Sequence, residues 1–372
     1  MTRTTHSTSS VCGTTLFVAF ELGAKQWKMA MATTVGSQPW VRDVRAGEWT
    51  AVERLLVEGR RRFGLPAAAP VVSCYEAGRD GFWIHRALVV RGVVNRVVDS
   101  ASIEVNRRAR RRKTDRIDAV KLVMMLMRAH AGERHVWSEV RVPSATEEAA
   151  RLVSRERTQL VTERPRLINQ MRGWLATWGS KVPSRRPDGW WATVRDWAGH
   201  ALPVSLQQRL ARAHARVQLV TTHLAALEAQ QQVTVTADPV AARLARLKGL
   251  APTSVSVLLQ EGLVWRQFRN RRQVGGFLGY TAVPFQSGDT DHTVGIDRAG
   301  NRRLRTISLQ LAWQWVRWQP ASALTQWYLR RFGEGRRPRL TGIVAVARKL
   351  LIALWRYATT DELPAGAIFK PA

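Results

Sequence analysis

The sequence predicts an α/β domain followed by all-α domains. Short apolar segments alternate with amphipathic ones up to about residue 140, a seven-residue apolar repeat follows, and helical periodicity dominates to about residue 358. We therefore divide the 372 residues into a disordered tail (1–14), an α/β domain (15–140), a coiled-coil helical hairpin (141–236), a helical domain (237–360) and a second tail (361–372).

The α/β prediction depends on apolar runs bounded by proline, glycine or charged residues. Runs of this kind predict strands at 16–20, 27–33, 70–75 and 93–98. Amphipathic periodicity predicts helices at 48–62, 80–90 and 115–129. A strand pair followed by alternating helices and strands is typical of a mixed sheet covered by helices.

The middle of the chain has the spacing of packed helices. Val153, Leu160, Leu167 and Trp174 recur every seven residues, and Pro165 is expected to kink this helix. The returning helix carries a cleaner seam of alternating four- and three-residue spacings, formed by Leu206, Leu210, Ala213, Val217, Val220, Leu224 and Leu227. Such a hairpin is either a dimerisation arm or ordinary packing within one chain.

In the last third of the chain, helices are predicted at 239–248, 254–262, 270–278, 300–318, 321–332 and 339–358. Residues 280–300 interrupt them as a long loop or a short hairpin, and long loops in compact domains are often functional.

The charge balance predicts a polyanionic partner. The chain has 58 Lys and Arg against 28 Asp and Glu, a net charge of +30, and a pI near 11.6. A G+C-rich genome explains a preference for Arg over Lys but not the scarcity of acids. Two cysteines indicate neither a disulfide framework nor a zinc cluster and fit a reducing cytoplasm, and no apolar run is long enough to span a membrane. The polar first 14 residues lack the apolar core of a signal peptide.

Four carboxylates are candidates for metal binding. Glu21 and Glu76 each end an apolar strand, where α/β folds gather their chemistry, although a solvated strand end explains each equally well. Asp115 and Asp118 share one face of a predicted helix, where Thr114 as N-cap and two acids in the first turn are explained by capping alone. Together the four carboxylates could hold a pair of Mg²⁺ or Mn²⁺ ions for phosphoryl transfer.

A basic loop supplies a candidate nucleophile, Ser287, next to Gly288. Guanidinium groups downstream could bind the phosphate being cut, although a turn serine beside a solvated arginine face is the simpler explanation. The turn at 247–253, with Lys248, resembles half of a helix-hairpin-helix element but has Ala251 where a second glycine is usual. The candidate nucleic-acid-binding residues are Lys113, Lys248, Arg298, Arg302, Arg303 and Arg305.

Three short motifs in this order resemble the DEDD-type insertion-sequence transposases that carry a C-terminal catalytic serine and are guided by a bridge RNA. They are Tyr75-Glu76-Ala77-Gly78 with Gly81-Phe82-Trp83, the run 113–119, and Gln286-Ser287-Gly288 followed by 295–305; the late run 346–351 also fits. The resemblance extends from about Leu16 to about Ala358.

The resemblance implies an RNase H-like (RuvC-like) N-terminal domain, a coiled-coil insertion and a helical transposase domain. It implies that Glu76, Asp115 and Asp118 bind Mg²⁺, and that Ser287 forms a covalent link to cut DNA. It also implies a guide RNA that pairs with donor and target DNA, a homo-oligomer (dimer to tetramer) in which one protomer's acidic domain meets another's serine loop, and a cytoplasmic, nucleoid-associated location.

Two positions depart from the family pattern. The first acid of the family is an aspartate, whereas this chain has Glu21, and Asp297 lies where relatives carry a small or basic residue. A longer carboxylate arm moves the charge relative to a metal, and small displacements are costly in catalysis. Two other functions therefore stay open: a metal-dependent structure-specific nuclease that uses water, and a catalytically decayed nucleic-acid-binding protein.

Overall fold

The computed structural model describes residues 14–103, 114–133, 136–287, 290–297, 300–333 and 336–371. The predicted disordered tail lies almost wholly outside these residues, as do Lys113 and Arg298. The chain folds as two compact units, Met1–Pro143 and Ser144–Ala372, which we name the sheet unit and the helical unit. Within the part of the chain that is described, no helix is both long enough and apolar enough to cross a membrane.

The sheet unit contains five strands and three α-helices among its described residues. In chain order they are β1 (Leu16–Leu22), β2 (Gln26–Ala32), β3 (Trp40–Arg45), α1 (Trp49–Arg62), β4 (Val71–Glu76), α2 (Trp83–Val90), β5 (Val94–Val98) and α3 (Asp115–His130). The strand order is β3-β2-β1-β4-β5. The pairs β1–β2 and β2–β3 are antiparallel, whereas β4 is parallel to both β1 and β5. A mixed sheet is therefore present, as the sequence predicts.

Alternation along β1 explains why helices cover both faces of this sheet. Leu16, Val18 and Phe20 point to the face covered by α1 and α2, where they join Val52 and Leu88 in one core cluster. Phe17 and Ala19 point to the other face, and Leu122 of α3 belongs to the cluster there. All of these side chains are buried, so β1 is a central strand.

The helical unit contains nine α-helices and one β-hairpin in its described residues. They are α4 (Ala145–Ala176), α5 (Trp190–Thr193), α6 (Val204–Ala237), α7 (Pro239–Ala245), α8 (Pro252–Gln260), α9 (Arg271–Phe277), β6 (Ala282–Ser287), β7 (Thr290–Ile296), α10 (Arg302–Trp318), α11 (Ala323–Phe332) and α12 (Arg336–Thr360). A core around α8, α10 and α12 contains the fully buried Trp315 and Leu354. Residues 280–300 thus form a hairpin where it is described, one of the two predicted alternatives.

The seven-residue repeat packs within the chain. Leu167, Met171 and Leu175 of α4 share a cluster with the α6 seam, of which Leu210, Ala213, Val217, Val220 and Leu224 are buried. The polar seam position Arg157 forms an ion pair of 2.6 Å with Glu228 on α6. These contacts correspond to the second predicted alternative, packing within one chain. Helix α4 extends past Pro165 to Ala176 without an assigned break.

Three features of the structure bear on the sequence-based expectations. Strand β3 was not predicted. The hairpin of α4 and α6 belongs to the same compact unit as the helices that follow it, and the boundary between residues 236 and 237 stays a prediction. Residues 361–371, expected to be a tail, run along the helical unit, where the Lys370 amide donates to the Arg246 carbonyl at 2.8 Å and Leu247 bridges to Phe369.

Candidate active site

Two glutamates lie side by side at the carboxyl end of the central strands. Phe20 of β1 is level with Tyr75 of the parallel strand β4, so Glu21 and Glu76 are the next residues along both strands. Neighbouring strands are about 4.8 Å apart. Both glutamates are half-buried, on the side of the sheet that α3 covers. Two carboxylates at this spacing repel each other, and a cation between them would offset that repulsion.

Charged side chains continue from Glu21 across the antiparallel strands β2 and β3. Lys28 of β2 pairs with Glu21 in the strand register, and its ammonium contacts the Asp43 carboxylate of β3 at 2.8 Å. Lys25, a second lysine near Glu21 in the sequence, is exposed in the turn before β2. Lys28 and Asp43 thus extend the charged side chains at this end of the sheet beyond the Glu21–Glu76 pair.

The glutamate pair opens into a cleft of about 340 Å³. Its lining residues are Phe20, Glu21, Leu22, Ala24, Tyr75, Glu76, Ala77, Gly78, Arg79, Asp80, Gly81 and Ser100. The cleft includes the first resemblance motif up to Gly81 and adds a third carboxylate, Asp80, which pairs with Arg79 at 3.3 Å.

Helix α3 runs antiparallel to the central strands and brings its acidic first turn to the same end of the sheet. Phe17 pairs with Val72 of β4 in the strand register, and its ring centroid lies 5.1 Å from that of His130 near the end of α3. Two residues further along β4, the Cys74 thiol contacts the Leu122 carbonyl, in the middle of α3, at 3.9 Å. From Cys74 to Glu76 the strand advances about 7 Å, and one turn back from Leu122 to Asp118 covers about 6 Å. Asp118, in the first turn of α3, therefore lies near the level of the glutamate pair along the sheet.

Capping also operates at this helix end. The Thr114 hydroxyl accepts a hydrogen bond from the Ile117 amide at 3.4 Å. Asp115 is exposed to solvent at the start of the helix, whereas Asp118 is half-buried. The structure thus confirms the capping explanation for Thr114, and this role is compatible with a second one for the aspartates.

The described residues contain no group of three or more His, Cys, Asp or Glu side chains close enough to hold a metal ion. The four-carboxylate site therefore stays a prediction. The glutamate pair nevertheless fits Mg²⁺, which is often bound by one or two carboxylates together with substrate phosphates and water.

Ser287 is the last residue of β6, at the tip of the hairpin, and it pairs with Thr290 of β7. Gly288 and Asp289, which connect the strands, lie outside the described residues. From Ala282 to Ser287 the strand covers about 17 Å. The serine is therefore well separated along the strand from the base of the hairpin.

The base of this hairpin is fixed by close backbone contacts. The Asp297 amide donates to the Thr281 carbonyl at 2.9 Å and the Asn301 amide to the Phe277 carbonyl at 2.7 Å. A Cβ atom on Gly300 would come within 2.3 Å of the Gly279 nitrogen and of the Phe277 oxygen. Only glycine permits this crossing of two chain segments.

A buried carboxylate, Glu261, organises the start of α10. It is 3% exposed and accepts a hydrogen bond from the Asn301 side chain at 3.0 Å. Its other oxygen pairs with Arg303 at 3.1 Å and with Arg155 at 3.6 Å. The Asn301 carboxamide oxygen also caps α10 by accepting from the amides of Arg303 and Leu304. Neither Glu261 nor Asn301 was predicted as a site residue; the available signal was an acid within the apolar run after α8.

The predicted nucleic-acid-binding residues differ in their surroundings. Arg303 donates to the Ser154 carbonyl and the Thr158 hydroxyl of α4, and burial lowers its pKa. Arg305 donates to the Leu278 carbonyl at 3.0 Å, whereas Arg302 is exposed. Lys248, in the turn between α7 and α8, lies 5.8 Å from the Trp318 ring. These contacts engage Arg303 and Arg305 near the base of the hairpin, not at its tip.

Comparison with known proteins identifies relatives along most of the chain. Residues 241–327, which include the hairpin and α10, match the family described as "Transposase IS116/IS110/IS902 family". The chain is 37% identical over 377 residues to "Putative transposase y4rJ" of Sinorhizobium fredii, covering 95% of this chain and 94% of that protein. It is 29% identical over 230 residues to "Probable family 20 transposase" of Pseudomonas aeruginosa, covering 60% and 68% of the two chains. A third relative, "Transposase for insertion sequence element IS1328" of Yersinia enterocolitica, is 24% identical over 170 residues, 45% of this chain and 49% of its own.

Proposed function

Because this chain belongs to the IS116/IS110/IS902 family of transposases, we propose that it cuts and rejoins insertion-sequence DNA with Ser287 as the nucleophile. In this proposal Glu21, Glu76, Asp115 and Asp118 hold Mg²⁺ or Mn²⁺ beside the scissile phosphate. The adjacency of Glu21 and Glu76 at the ends of parallel strands carries the proposal. Two neighbouring carboxylates in a protein of net charge +30 are well suited to share a divalent cation.

The acid residues bind and orient in this mechanism. Glu21 and Glu76 provide oxygen ligands from rigid strands, and Asp118 approaches from the first turn of α3. The bound divalent ion supplies positive charge that stabilises the phosphorus transition state and the leaving oxygen. The extra methylene of Glu21, relative to the family's aspartate, is accommodated if its carboxylate reaches further into the cleft.

The proposed serine chemistry consists of two transesterification steps and needs no co-reactant. The Ser287 oxygen attacks a DNA phosphorus and loses its proton to a basic group, while the phosphorus–oxygen bond of the strand breaks and the departing oxygen takes up a proton. A DNA hydroxyl then attacks the phosphoserine, restores a phosphodiester and frees the serine. Phosphodiester energy is thus conserved through both steps.

We further propose an RNase H-like fold for the sheet unit, guidance by an element-encoded RNA, and an oligomer whose protomers combine their acidic clefts and serine hairpins. The mixed sheet with its antiparallel β1–β2 pair and parallel β1–β4 pair supports the first of these. The resemblance motifs and the positive charge support the second. The serine at the tip of a hairpin, which suits insertion into another protomer's site, supports the third.

The test is a cleavage assay on end-labelled element DNA with Mg²⁺, followed by denaturing gels that retain protein–DNA adducts. Ser287→Ala should abolish both cleavage and adduct, and Asp118→Asn should abolish cleavage, while both variants still bind nucleic acid. Ser205→Ala, an exposed serine on α6, is the matched control and should retain full activity.

Each other outcome identifies a different function. Cleavage by Ser287→Ala without any adduct would replace the proposal by a water-using nuclease. Binding without cleavage under any divalent ion, in both the natural chain and Glu21→Asp, would indicate a decayed transposase that only binds nucleic acid. Cleavage restored by Glu21→Asp alone would trace the defect to that position.

A further inference from the structure

A second basic site lies in the helical unit and is lined by residues outside the serine hairpin. A groove of about 540 Å³ is formed by α9, α11 and α12. Its lining residues are Arg271, Arg272, Trp327, Arg331, Phe332, Ala345, Arg348, Lys349, Ile352 and Arg356. Six of these ten side chains are cationic and none is acidic.

The charges of this groove are poorly compensated by the protein. Arg356 pairs with Glu362 at 3.6 Å, and both side chains are largely exposed. For the other five cations, no ion pair with a carboxylate is present among the described residues. Concentrating like charges in a concave surface is unfavourable unless an anion occupies it, and the concavity focuses the positive potential.

The groove also has a fixed shape. Ala345, Arg348, Lys349, Ile352 and Arg356 follow the three- and four-residue spacing that places them on one face of α12. The Lys349 ammonium lies 4.6 Å from the centre of the Trp327 ring, which holds it by a cation–π contact. A Cβ on Gly275 of α9 would come within 2.9 Å of the Arg348 Nε, so the guanidinium rests directly against that glycine.

We propose that this groove binds the phosphodiester backbone of a nucleic acid, with Arg348 and Lys349 as direct phosphate contacts. The inference rests on the proposed function, since it adds a backbone-binding site to the same protein. Guanidinium and ammonium groups presented together match phosphate oxygens. Partly exposed aromatic side chains at the wall, Trp327 and Phe332, suit the sugar and base surfaces beside the backbone.

The first experiment compares two charge-matched double variants in the Ser287→Ala background, without divalent ions, so that no cleavage occurs. Arg348→Gln/Lys349→Gln removes the two proposed contacts. Arg61→Gln/Lys25→Gln removes the same charge from exposed positions of the sheet unit. Binding of labelled single-stranded DNA, duplex DNA and structured RNA is measured by anisotropy over a range of KCl concentrations.

We expect the groove variant to lose about tenfold in affinity and to lower the slope of log K against log salt by about 1.5, because two phosphate contacts are lost. The control pair should change affinity less than about threefold. The nucleic acid that shows the larger loss identifies the natural ligand as DNA or RNA. Equal losses in both pairs would overturn the proposal, because they would show a delocalised charge effect.

The second experiment keeps the charge constant. Gly275→Ala pushes the Arg348 guanidinium away, whereas the neighbouring Gly276→Ala meets only Thr281 at 3.9 Å. Both alanines favour the helix, and circular dichroism melting verifies that both variants fold. We expect Gly275→Ala alone to weaken binding about three- to tenfold, through a displaced charge-assisted hydrogen bond. Equal affinity of the two variants would overturn Arg348 as a positioned contact.

These outcomes are separable from a failure of the proposed function. The groove variants, which carry Ser287→Ala, report binding alone, and adduct formation is measured on the chain that retains Ser287. If the groove variants lose binding while the chain with Ser287 forms adducts at saturating DNA, the groove and the nucleophile are supported independently. Normal binding by the groove variants overturns the groove and leaves the cleavage results unchanged.

Discussion

At the scale of residues, Glu21 and Glu76 form a pair of adjacent carboxylates at the ends of two parallel strands. Lys28, opposite Glu21 in the register, contacts Asp43 at 2.8 Å. The mutual repulsion of the glutamates is largest when both are ionised, and the attraction of both to a bound cation would offset it. The stability of the sheet unit should therefore depend on divalent ions.

Glu76→Gln tests this dependence. At ten times its dissociation constant, Mg²⁺ should stabilise the natural sheet unit by about 1.4 kcal/mol, and Tm should rise by about 3–6 °C. The variant should have an unchanged or slightly higher Tm without metal, since the repulsion is gone, and no shift with Mg²⁺. Calorimetry measures both values, and Glu58→Gln on the exposed face of α1 serves as the control. A full Mg²⁺ shift in Glu76→Gln would exclude the glutamate pair as the metal site.

Sequence reasoning found Glu21 and Glu76 because an acid after an apolar strand needs a partner. It did not find Glu261, whose role depends on contacts with Asn301 and Arg303 some 40 residues away. The assignment of Arg303 to nucleic acid stays a prediction, but its contacts with Glu261 and α4 were not foreseen, because a run of arginines looks the same in sequence whether its members are exposed or engaged. The burial of a charged side chain and the identity of its partners depend on tertiary packing, so they cannot be read from the residue and its sequence neighbours alone.

At the scale of elements, the serine hairpin depends on its base. Gly300 crosses the α9–β6 connection at a distance that excludes any side chain. The crossing brings Asn301 to the Phe277 carbonyl and begins α10. A distortion here would propagate to the direction in which the hairpin projects.

Gly300→Ala should therefore cost about 1–3 kcal/mol of stability, the usual range for overpacking, and should reduce adduct formation more than nucleic-acid binding. Gly173→Ala on α4 meets no atom within 4 Å and should gain up to about 1 kcal/mol from helix propensity. Chemical denaturation compares the two variants. Equal stability would mean that the backbone crossing relaxes at little cost.

The α4–α6 seam gives a second test at this scale, because α6 has equivalent leucines on opposite faces. Leu210 is fully buried and Leu219 is 57% exposed. Leu210→Ala should destabilise the helical unit by about 2–5 kcal/mol, whereas Leu219→Ala should change stability by less than about 0.5 kcal/mol. Thermal melts at several protein concentrations measure the stability of both variants. If the Tm of the natural chain falls on dilution and the Leu210→Ala variant lacks this dependence, the seam is instead shared between chains.

Strand β3 shows why one element of the sheet was not predicted. Its sequence, Trp-Val-Arg-Asp-Val-Arg, has three charged residues in six, and only Val44 is buried. It is an edge strand, and edge strands are often charged because charge blocks pairing with other sheets. The central strands β1 and β4 were predicted because burial on both faces makes them continuously apolar.

At the scale of the whole molecule, the proposed function would distribute the chemistry over two compact units. The acidic cleft belongs to the sheet unit and Ser287 to the helical unit. If these residues form one catalytic site, that site is completed either within one chain or between chains. The two cases differ in what happens when two inactive variants are mixed.

Mixing Ser287→Ala protein with Glu76→Gln protein distinguishes them. If one protomer's acids meet another protomer's serine, mixed oligomers contain sites with intact acids from the first variant and an intact serine from the second. Random assembly would give roughly a quarter of sites this composition, so cleavage should recover to about that fraction. Adducts should form on the Glu76→Gln chain alone, which a size tag on one variant reveals by gel. If each chain completes its own site, every site in the mixture lacks one component and no cleavage should appear, even after the subunits have been exchanged by unfolding and refolding together.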